Sequence, residues 1–255
     1  MPITLNDIVA HKRAELATRT VGFLPDELST DLEPGGFAFE RTLAGDSVKI
    51  IAEIKPASPS AGVLQEKVNI HAILKEYHRF ASALSVLTDE KFFNGSLNLL
   101  NDVVRNTKLP VLRKDFVLDP LQVYEARLAG AEAVLLIAKI LTDAELTTLS
   151  GLTRQLGMSA VIEVQTQAEL ERALRLRPRV VLINNRNLDT FEISFETTRH
   201  LAPLIPKDTL TISASGIQSR SDIEELLPFC TRFLVGTALM QTTTLSQTLE
   251  ELTSI

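Results

Sequence analysis

The sequence predicts an α/β protein built as a closed (β/α)8 barrel, the TIM barrel, with a helical extension at its N-terminus. Two observations predict this fold. Short apolar runs rich in β-branched residues recur along the chain, and each is followed by a segment with helical periodicity. The runs start roughly 20–35 residues apart, which is the length of one strand–helix unit. Regular alternation of this kind produces a mostly parallel sheet covered by helices.

Eight runs have the composition of strands. In chain order they are VKIIAEI (48–54), ALSVLT (83–88), PVLRKD (110–115), AVLLIA (133–138), SAVIEV (159–164), VVLINN (180–185), TLTISA (209–214) and RFLVGT (232–237). Eight units fit a closed barrel. The alternative, an open doubly wound sheet, should carry a glycine-rich phosphate turn after its first strand, and here that turn reads KPASPSAG.

The segments between the runs begin and end with helix signals. Asp119, Thr142 and Ser219 stand where helix N-caps are expected, and glycines in LAGA and QLGM stand where helices should stop. Residues 1–46 precede the first strand and predict one or two extra helices, packed on the barrel floor or beside its mouth. We expect residues 1–255 to form a single domain.

The composition excludes several classes of protein. The formal net charge of −6 argues against a general nucleic-acid binder, and one cysteine excludes an internal disulfide framework and fits a reducing compartment. The four histidines are scattered without metal-ligand spacing, and the start of the chain has no unbroken apolar stretch. We therefore expect a cytoplasmic protein without a metal or membrane contact, working as a monomer or as a weak homodimer.

The first strand ends in charged residues that point to a site. Because strand side chains alternate between faces, one face of this strand is apolar and carries Val48, Ile50, Ala52 and Ile54. Glu53 and Lys55 lie on the other face. In a barrel the apolar face packs against the helices. Glu53 and Lys55 then point inward at the C-terminal rim, where active sites of this fold are built.

Three further strands aim polar groups at the same space. By the same parity, Lys114, Glu163, Asn184 and Arg186 point inward. Isolated buried charges are costly, whereas a paired cluster is tolerable and has tunable pKa values. The alternative is that these strand ends simply emerge into water, and a register slip of one residue would invert the assignment.

Loops of small residues follow strands one, seven and eight. They read ASPSAG, SASGI and LVGTAL and contain Ser58, Ser215, Gly216, Gly236 and Thr237. In this fold the loops after strands seven and eight often hold a phosphate group on backbone N–H groups. They predict a phosphate site, with plain turn chemistry as the alternative.

These motifs resemble the indole-3-glycerol phosphate synthase family over nearly the whole chain. The similarity runs from LNDIVAHKRAEL through IIAEIKPASPSAG, LSVLTDEKFFNGS and PVLRKDFVLDPLQVYEARLAGAEAVLLIAKIL to VIEV, INNRNLDTFEI, SGI and LVGTALM. The resemblance implies a (β/α)8 barrel with added N-terminal helices and no metal or organic cofactor. The implied reaction converts 1-(2-carboxyphenylamino)-1-deoxyribulose 5-phosphate into indole-3-glycerol phosphate, carbon dioxide and water.

The resemblance also implies roles for the inward polar residues. Lys114 matches the general acid that protonates the ribulose carbonyl oxygen, and Lys55 the lysine that holds the anthranilate carboxylate. Glu53 matches the carboxylate that orients both lysines. Glu163 matches a second acid–base residue for dehydration, and Asn184 a substrate-positioning amide. We expect burial and nearby cations to lower the pKa of the acid lysine, and Glu53 to raise it.

Binding residues follow from the same resemblance. Phosphate contacts fall on Ser58, Gly216, Gly236 and Thr237, with Arg186 close by. The apolar walls around the aromatic ring fall on Leu87, Phe93, Phe116, Leu135 and Ile137.

Two positions depart from the family pattern. Ala214 in SASGI stands where an inward glutamate is expected, and Leu182 stands where the family has glycine. Leu182 adds volume to a packed interior, so a residue opposite must be small or the mouth is reshaped. These departures leave open a catalytically impaired or specialised paralogue that binds an anthranilate-like sugar phosphate. A phosphoribosyl isomerase is a weaker alternative, because isomerisation needs no second lysine to hold a carboxylate.

Overall fold

Eight strands close into a parallel barrel in the computed structural model, which describes residues 4–19, 32–58, 62–64 and 69–254. They are β1 (Lys49–Ile54), β2 (Ala83–Leu87), β3 (Val111–Lys114), β4 (Ala133–Ile137), β5 (Ser159–Val164), β6 (Val180–Asn184), β7 (Leu210–Ala214) and β8 (Arg232–Val235). Each pairs in parallel with its neighbours along the chain, and β8 pairs with β1. The predicted (β/α)8 barrel is confirmed, and each of the eight predicted runs contains a strand.

Helices alternate with these strands. Within the described ranges they are α1 (Leu5–Arg19), α2 (Ala38–Thr42), α3 (Ile70–Phe80), α4 (Glu90–Phe93), α5 (Leu97–Arg105), α6 (Pro120–Leu128), α7 (Asp143–Gln155), α8 (Gln167–Leu174), α9 (Glu196–Leu201), α10 (Arg220–Leu226), α11 (Thr237–Gln241) and α12 (Leu245–Thr253). The predicted caps Asp119, Thr142 and Ser219 each form a capping box at the start of α6, α7 and α10. Helix starts were therefore readable from short local patterns.

Alternate side chains of the strands belong to two separate hydrophobic clusters. Ile50 and Ile54 of β1 pack in the cluster that includes helix residues such as Tyr77. Ile51 of the same strand packs in a second cluster together with Leu112 and other strand residues. The first cluster is the layer between barrel and helices, and the second fills the barrel. The predicted parity, on which the candidate site depends, is confirmed.

The barrel interior is organised in layers of four side chains from alternate strands, as is usual for this fold. Following the strand pairing around the barrel, one layer comprises Glu53, Lys114, Glu163 and Ala214. The layer beneath it comprises Ser85, Leu135, Leu182 and Leu234. Strands β2 and β6 face each other across an eight-stranded barrel, so the fully buried Ser85 is the small residue opposite Leu182. The volume added by Leu182 is offset there.

The N-terminal extension covers both ends of the barrel rather than one. Residues of α1 lie at the mouth, on the C-terminal side of the strands, where Leu5 and Ile8 line the central cavity. The segment that contains α2 lies on the floor. There the Glu40 N–H donates to Ser159 Oγ at 3.3 Å, and Arg232 Nε donates to the Leu43 carbonyl at 2.6 Å. The two predicted placements of the extension are thus both occupied, by different helices.

Candidate active site

A cavity opens at the C-terminal ends of the barrel strands, and most of the predicted site residues line it. These are Glu53, Lys55, Phe93, Lys114, Phe116, Glu163, Asn184, Arg186, Ser215, Gly216, Gly236 and Thr237. They come from seven of the eight strands or the segments that follow them. The side chains that the sequence placed on a common interior therefore do meet in one space.

Of the four remaining predicted residues, three do not line the cavity. Leu87, Leu135 and Ile137 are buried in the barrel wall, outside the lining. Leu135 belongs to the layer beneath the charged residues, which explains why it has no open space beside it. The side chain of Ser58 lies outside the described part of the chain. The contacts of these four residues with a substrate stay predictions.

Glu53 lies between two ammonium groups. Its Oε1 is 2.9 Å from Lys55 Nζ, and its Oε2 is 3.3 Å from Lys114 Nζ. Lys55 also donates to Thr237 Oγ1 at 3.2 Å, so the segment that follows β1 is joined to the start of α11. The two lysines thus converge on one carboxylate within the same cavity.

Burial and charge oppose each other at these groups. Burial alone would raise the pKa of Glu53, but Lys114 and Lys55 outweigh it and lower that pKa to about 2. Burial would lower the pKa of Lys114, but Glu53 and Glu163 outweigh it, and the net direction is upward. Both expected effects are present, since burial and Arg186 lower the pKa of Lys114 while Glu53 raises it, and the net direction in the free protein is upward because two carboxylates flank this ammonium group.

Glu163 is held differently from Glu53. Burial raises its pKa, and the opposing effects of Lys114 and of the Asn184 hydrogen bond do not cancel this. Asn184 Nδ2 donates to Glu163 Oε1 at 3.0 Å, and its Oδ1 accepts the Arg186 N–H at 3.0 Å. Two buried carboxylates in one layer therefore have pKa values displaced in opposite directions, which separates a charged group from one that exchanges protons.

The two glycines of the late loops are required by close packing. Gly216 has φ of 91° and follows Ser215 with φ of 70°, and a Cβ on Gly216 would lie 2.6 Å from Ile193 Cγ2. A Cβ on Gly236 would lie 2.1 Å from Glu53 Oε1. Close packing within the site is therefore a second reason for glycine at these two positions, beside the phosphate binding that the sequence predicts.

A family model for indole-3-glycerol phosphate synthase matches residues 5–252. Indole-3-glycerol phosphate synthases of Polaromonas naphthalenivorans and Acidithiobacillus ferrooxidans are 42% and 43% identical over 246 residues, with 93% of this chain covered in both cases. The alignments cover 93% and 94% of those relatives. The chain belongs to the indole-3-glycerol phosphate synthase family. The predicted function, a decarboxylating lyase of tryptophan biosynthesis, is confirmed.

Solved structures agree on the fold. A mutant tryptophan synthase alpha-subunit from Pyrococcus furiosus superposes with a TM-score of 0.64 at 14% identity, covering 83% of this chain and 100% of that chain. The alpha-subunit in the a2b2 complex of the same organism gives 0.62 at 15% identity, with 82% and 99% covered. At this identity the likeness supports the barrel alone.

Two apolar segments of the chain line the cavity without having been assigned to it from the sequence. Leu5 and Ile8 come from α1, and Leu188, Phe191 and Ile193 come from the loop after β6. The spacing of three residues between Leu5 and Ile8 was a signal, since it places both on one helix face. The loop residues lie inside the matched motif INNRNLDTFEI, but no periodicity marks them.

Within the described residues, no helix has the length and apolarity to cross a bilayer. No three His, Cys, Asp or Glu side chains in the same ranges form a group suited to a metal ion.

Proposed function

We propose that three groups of the cavity divide the ring-closure reaction of indole-3-glycerol phosphate synthase in this chain. Lys114 acts as the general acid, Lys55 holds the anthranilate carboxylate, and Glu163 exchanges protons during dehydration. The observation that carries the assignment is the carboxylate of Glu53 shared by both ammonium groups. This arrangement holds two cations in one cavity at fixed separation, where a single substrate can bridge them.

Lys114 is suited to donate a proton to the ribulose carbonyl oxygen. Ring closure needs an electrophilic carbon, and protonation of the carbonyl oxygen supplies it. The raised pKa keeps the lysine as ammonium at neutral pH, so the proton is present when substrate binds. Substrate atoms that replace the contact with Glu53 would weaken this effect and make the ammonium more acidic.

Lys55 is suited to hold the carboxylate that is later lost as carbon dioxide. It lies two residues beyond Glu53 on the same side of the chain, and it is fixed by that carboxylate and by Thr237. The same cavity is also lined by Phe93 and Phe116, whose ring centroids are 6.0 Å apart. Transfer of a carboxylate into such surroundings favours a neutral product.

Glu163 is suited to the dehydration stage. Its raised pKa lets it hold and release a proton closer to neutral pH than Glu53 can. Asn184 donates to it at 3.0 Å and fixes its orientation.

The substrate's phosphate group is proposed to bind among Ser215, Gly216, Gly236 and Thr237, with Arg186 nearby. All five line the same cavity as the lysines. The cavity holds three cationic side chains against two carboxylates, which suits a substrate carrying both a phosphate and a carboxylate. Anchoring both ends of a flexible substrate brings its ring carbon to the carbonyl group.

The test is Lys114→Ala. We expect that this variant forms no indole-3-glycerol phosphate, which is measured by indole fluorescence. Calorimetry should show that the variant still binds the substrate. Lys139→Ala is the control, since Lys139 pairs with Asp189 on the surface and does not line the cavity. Near wild-type turnover by Lys114→Ala would show that the acid is another group.

A second candidate is a paralogue that binds the same sugar phosphate without efficient turnover. Ala214 favours it, because it pairs with Asn184 and leaves this part of the interior without the expected carboxylate, whereas the volume of Leu182 is accommodated opposite Ser85. Wild-type protein that binds the substrate but yields no indole product would support this candidate and exclude the first.

We further propose that the enzyme works as a monomer in the cytoplasm. The large exposed apolar side chains of the described residues, Leu128, Ile193 and Leu204, lie on different elements and do not adjoin in sequence. Sedimentation at micromolar concentration tests the oligomeric state, and a dimeric species would contradict the proposal.

A further inference from the structure

A buried ionic cluster lies outside the cavity, between α1 and the ends of β2 and β3. Its centre is Lys12, which is only 3% exposed. Lys12 Nζ is 3.0 Å from Asp89 Oδ2, 3.5 Å from Asp115 Oδ1 and 3.1 Å from Glu15 Oε2. Such a cluster costs desolvation energy that an apolar contact would not, so it needs a reason beyond stability.

Asp115 fixes the backbone around Lys114. Its Oδ1 accepts the Phe116 N–H at 2.8 Å, and its Oδ2 accepts from Thr88 Oγ1 at 2.7 Å and from Arg113 Nη2 at 3.0 Å. The carboxylate thereby holds the residues on both sides of Lys114. Phe116, at the far end of this segment, lines the cavity.

Asp89 fixes a second part of the cavity wall. Its Oδ1 caps α4 by accepting the Phe92 N–H at 2.8 Å, and α4 carries Phe93 into the cavity lining. Its Oδ2 is buried and makes no hydrogen bond in the described structure. The ion pair with Lys12 therefore compensates the negative charge on this oxygen.

Lys12 itself belongs to α1, which supplies Leu5 and Ile8 to the same wall. One ammonium group therefore joins three segments that line the cavity, without lining it. We propose that Lys12 is a positioning residue that sets Lys114 and the apolar wall relative to each other. This inference rests on the proposed role of Lys114 as the general acid.

The test compares Lys12→Met with Arg13→Met. Met keeps the length of the side chain and removes its charge. Arg13 is the matched control, because it lies next to Lys12 on α1 but forms a partly exposed ion pair with Glu145. Both variants are assayed with saturating substrate at a temperature where circular dichroism shows them folded, so that a loss of stability alone leaves kcat unchanged.

For Lys12→Met we expect KM to rise and kcat to fall, with kcat/KM reduced about 10- to 100-fold, since a displacement of about 1 Å has effects of this size. Arg13→Met should stay within about twofold of wild type, and Lys12→Arg should recover part of the loss. Unchanged kcat and KM in folded Lys12→Met would overturn the inference.

Asp89→Asn decides the matter if Lys12→Met does not fold. Asn still caps α4, so the variant removes the charge opposite Lys12 and keeps the helix start. We expect kcat/KM to fall more than threefold, and a value within twofold of wild type would overturn the inference. Wild-type protein without ring-closure activity would instead refute the proposed function, so the two failures are distinguishable.

Discussion

Replacing Glu53 by Gln tests the electrostatic balance of the cavity. The pKa of Glu53 is about 2, against 4.5 for an ordinary Glu, because the two ammonium groups outweigh the effect of burial. One pKa unit corresponds to ~1.4 kcal/mol, so the surroundings favour the charged carboxylate by ~3 kcal/mol. A neutral amide of the same shape loses this interaction and leaves Lys55 and Lys114 facing each other.

Two results follow from the loss of this charge. At pH 7 the free energy of unfolding of Glu53→Gln should fall by about 3 kcal/mol. The pKa of Lys114 should also fall, because the largest effect that raises it is gone while burial remains. The basic limb of the kcat profile should therefore move to lower pH, with turnover reduced about 100-fold through misplacement of the acid.

The stability of the wild-type protein should depend on pH for the same reason. Because the pKa of Glu53 is lowered on folding, its contribution is complete above pH 4.5 and is lost as the pH falls toward 2. Urea unfolding at several pH values measures it, and turnover followed by indole fluorescence gives the kinetic profile. Glu171→Gln, on the exposed side of α8, is the charge control. If Glu53→Gln matched the control in stability and in pH profile, the shared carboxylate would not organise the site.

Two further substitutions probe the space around this carboxylate. Gly236→Ala places a Cβ 2.1 Å from Glu53 Oε1, so Glu53 must move, and kcat/KM should fall about 100-fold, whereas Gly151→Ala, with open space around its Cβ, should leave turnover unchanged. Equal kinetics for both glycine variants would contradict this. Ala214→Glu adds a third carboxylate to the layer of Lys114, so KM for the substrate, which carries a carboxylate and a phosphate group, should rise severalfold without a gain in kcat. A large gain in turnover would instead support the impaired paralogue.

The fold could be predicted from the sequence because the strand runs, the helix caps and the spacing of the strand–helix units all indicated the same architecture. Eight strands appear within the predicted runs, and the caps Asp119, Thr142 and Ser219 begin helices as expected. Parity then followed from the barrel alone, since one face of each strand must pack against helices. The inward position of Glu53 and Lys114 needed no knowledge of distances.

The rest depended on contacts between segments distant in the sequence. The sequence did not reveal that α1 supplies Leu5 and Ile8 to the cavity, because an amphipathic helix carries no mark of the surface it covers. The sequence also could not predict in which direction the pKa of Lys114 is shifted. It depends on whether carboxylates or cations lie nearer, and only the structure shows that Glu53 and Glu163 are its dominant neighbours.

The position of the cavity follows from an uneven distribution of side-chain size in one layer. Three members of the layer, Glu53, Lys114 and Glu163, are long and polar and come from β1, β3 and β5, whereas the fourth is Ala214 on β7. Gly236 follows β8 on the same side. The interior cannot be filled there, so space remains next to the loops proposed for phosphate, and the proton-transfer groups stand opposite. Four leucines in this layer would fill the barrel interior at this level. The proposed reaction therefore depends on the small side chain of Ala214, which leaves space for a substrate.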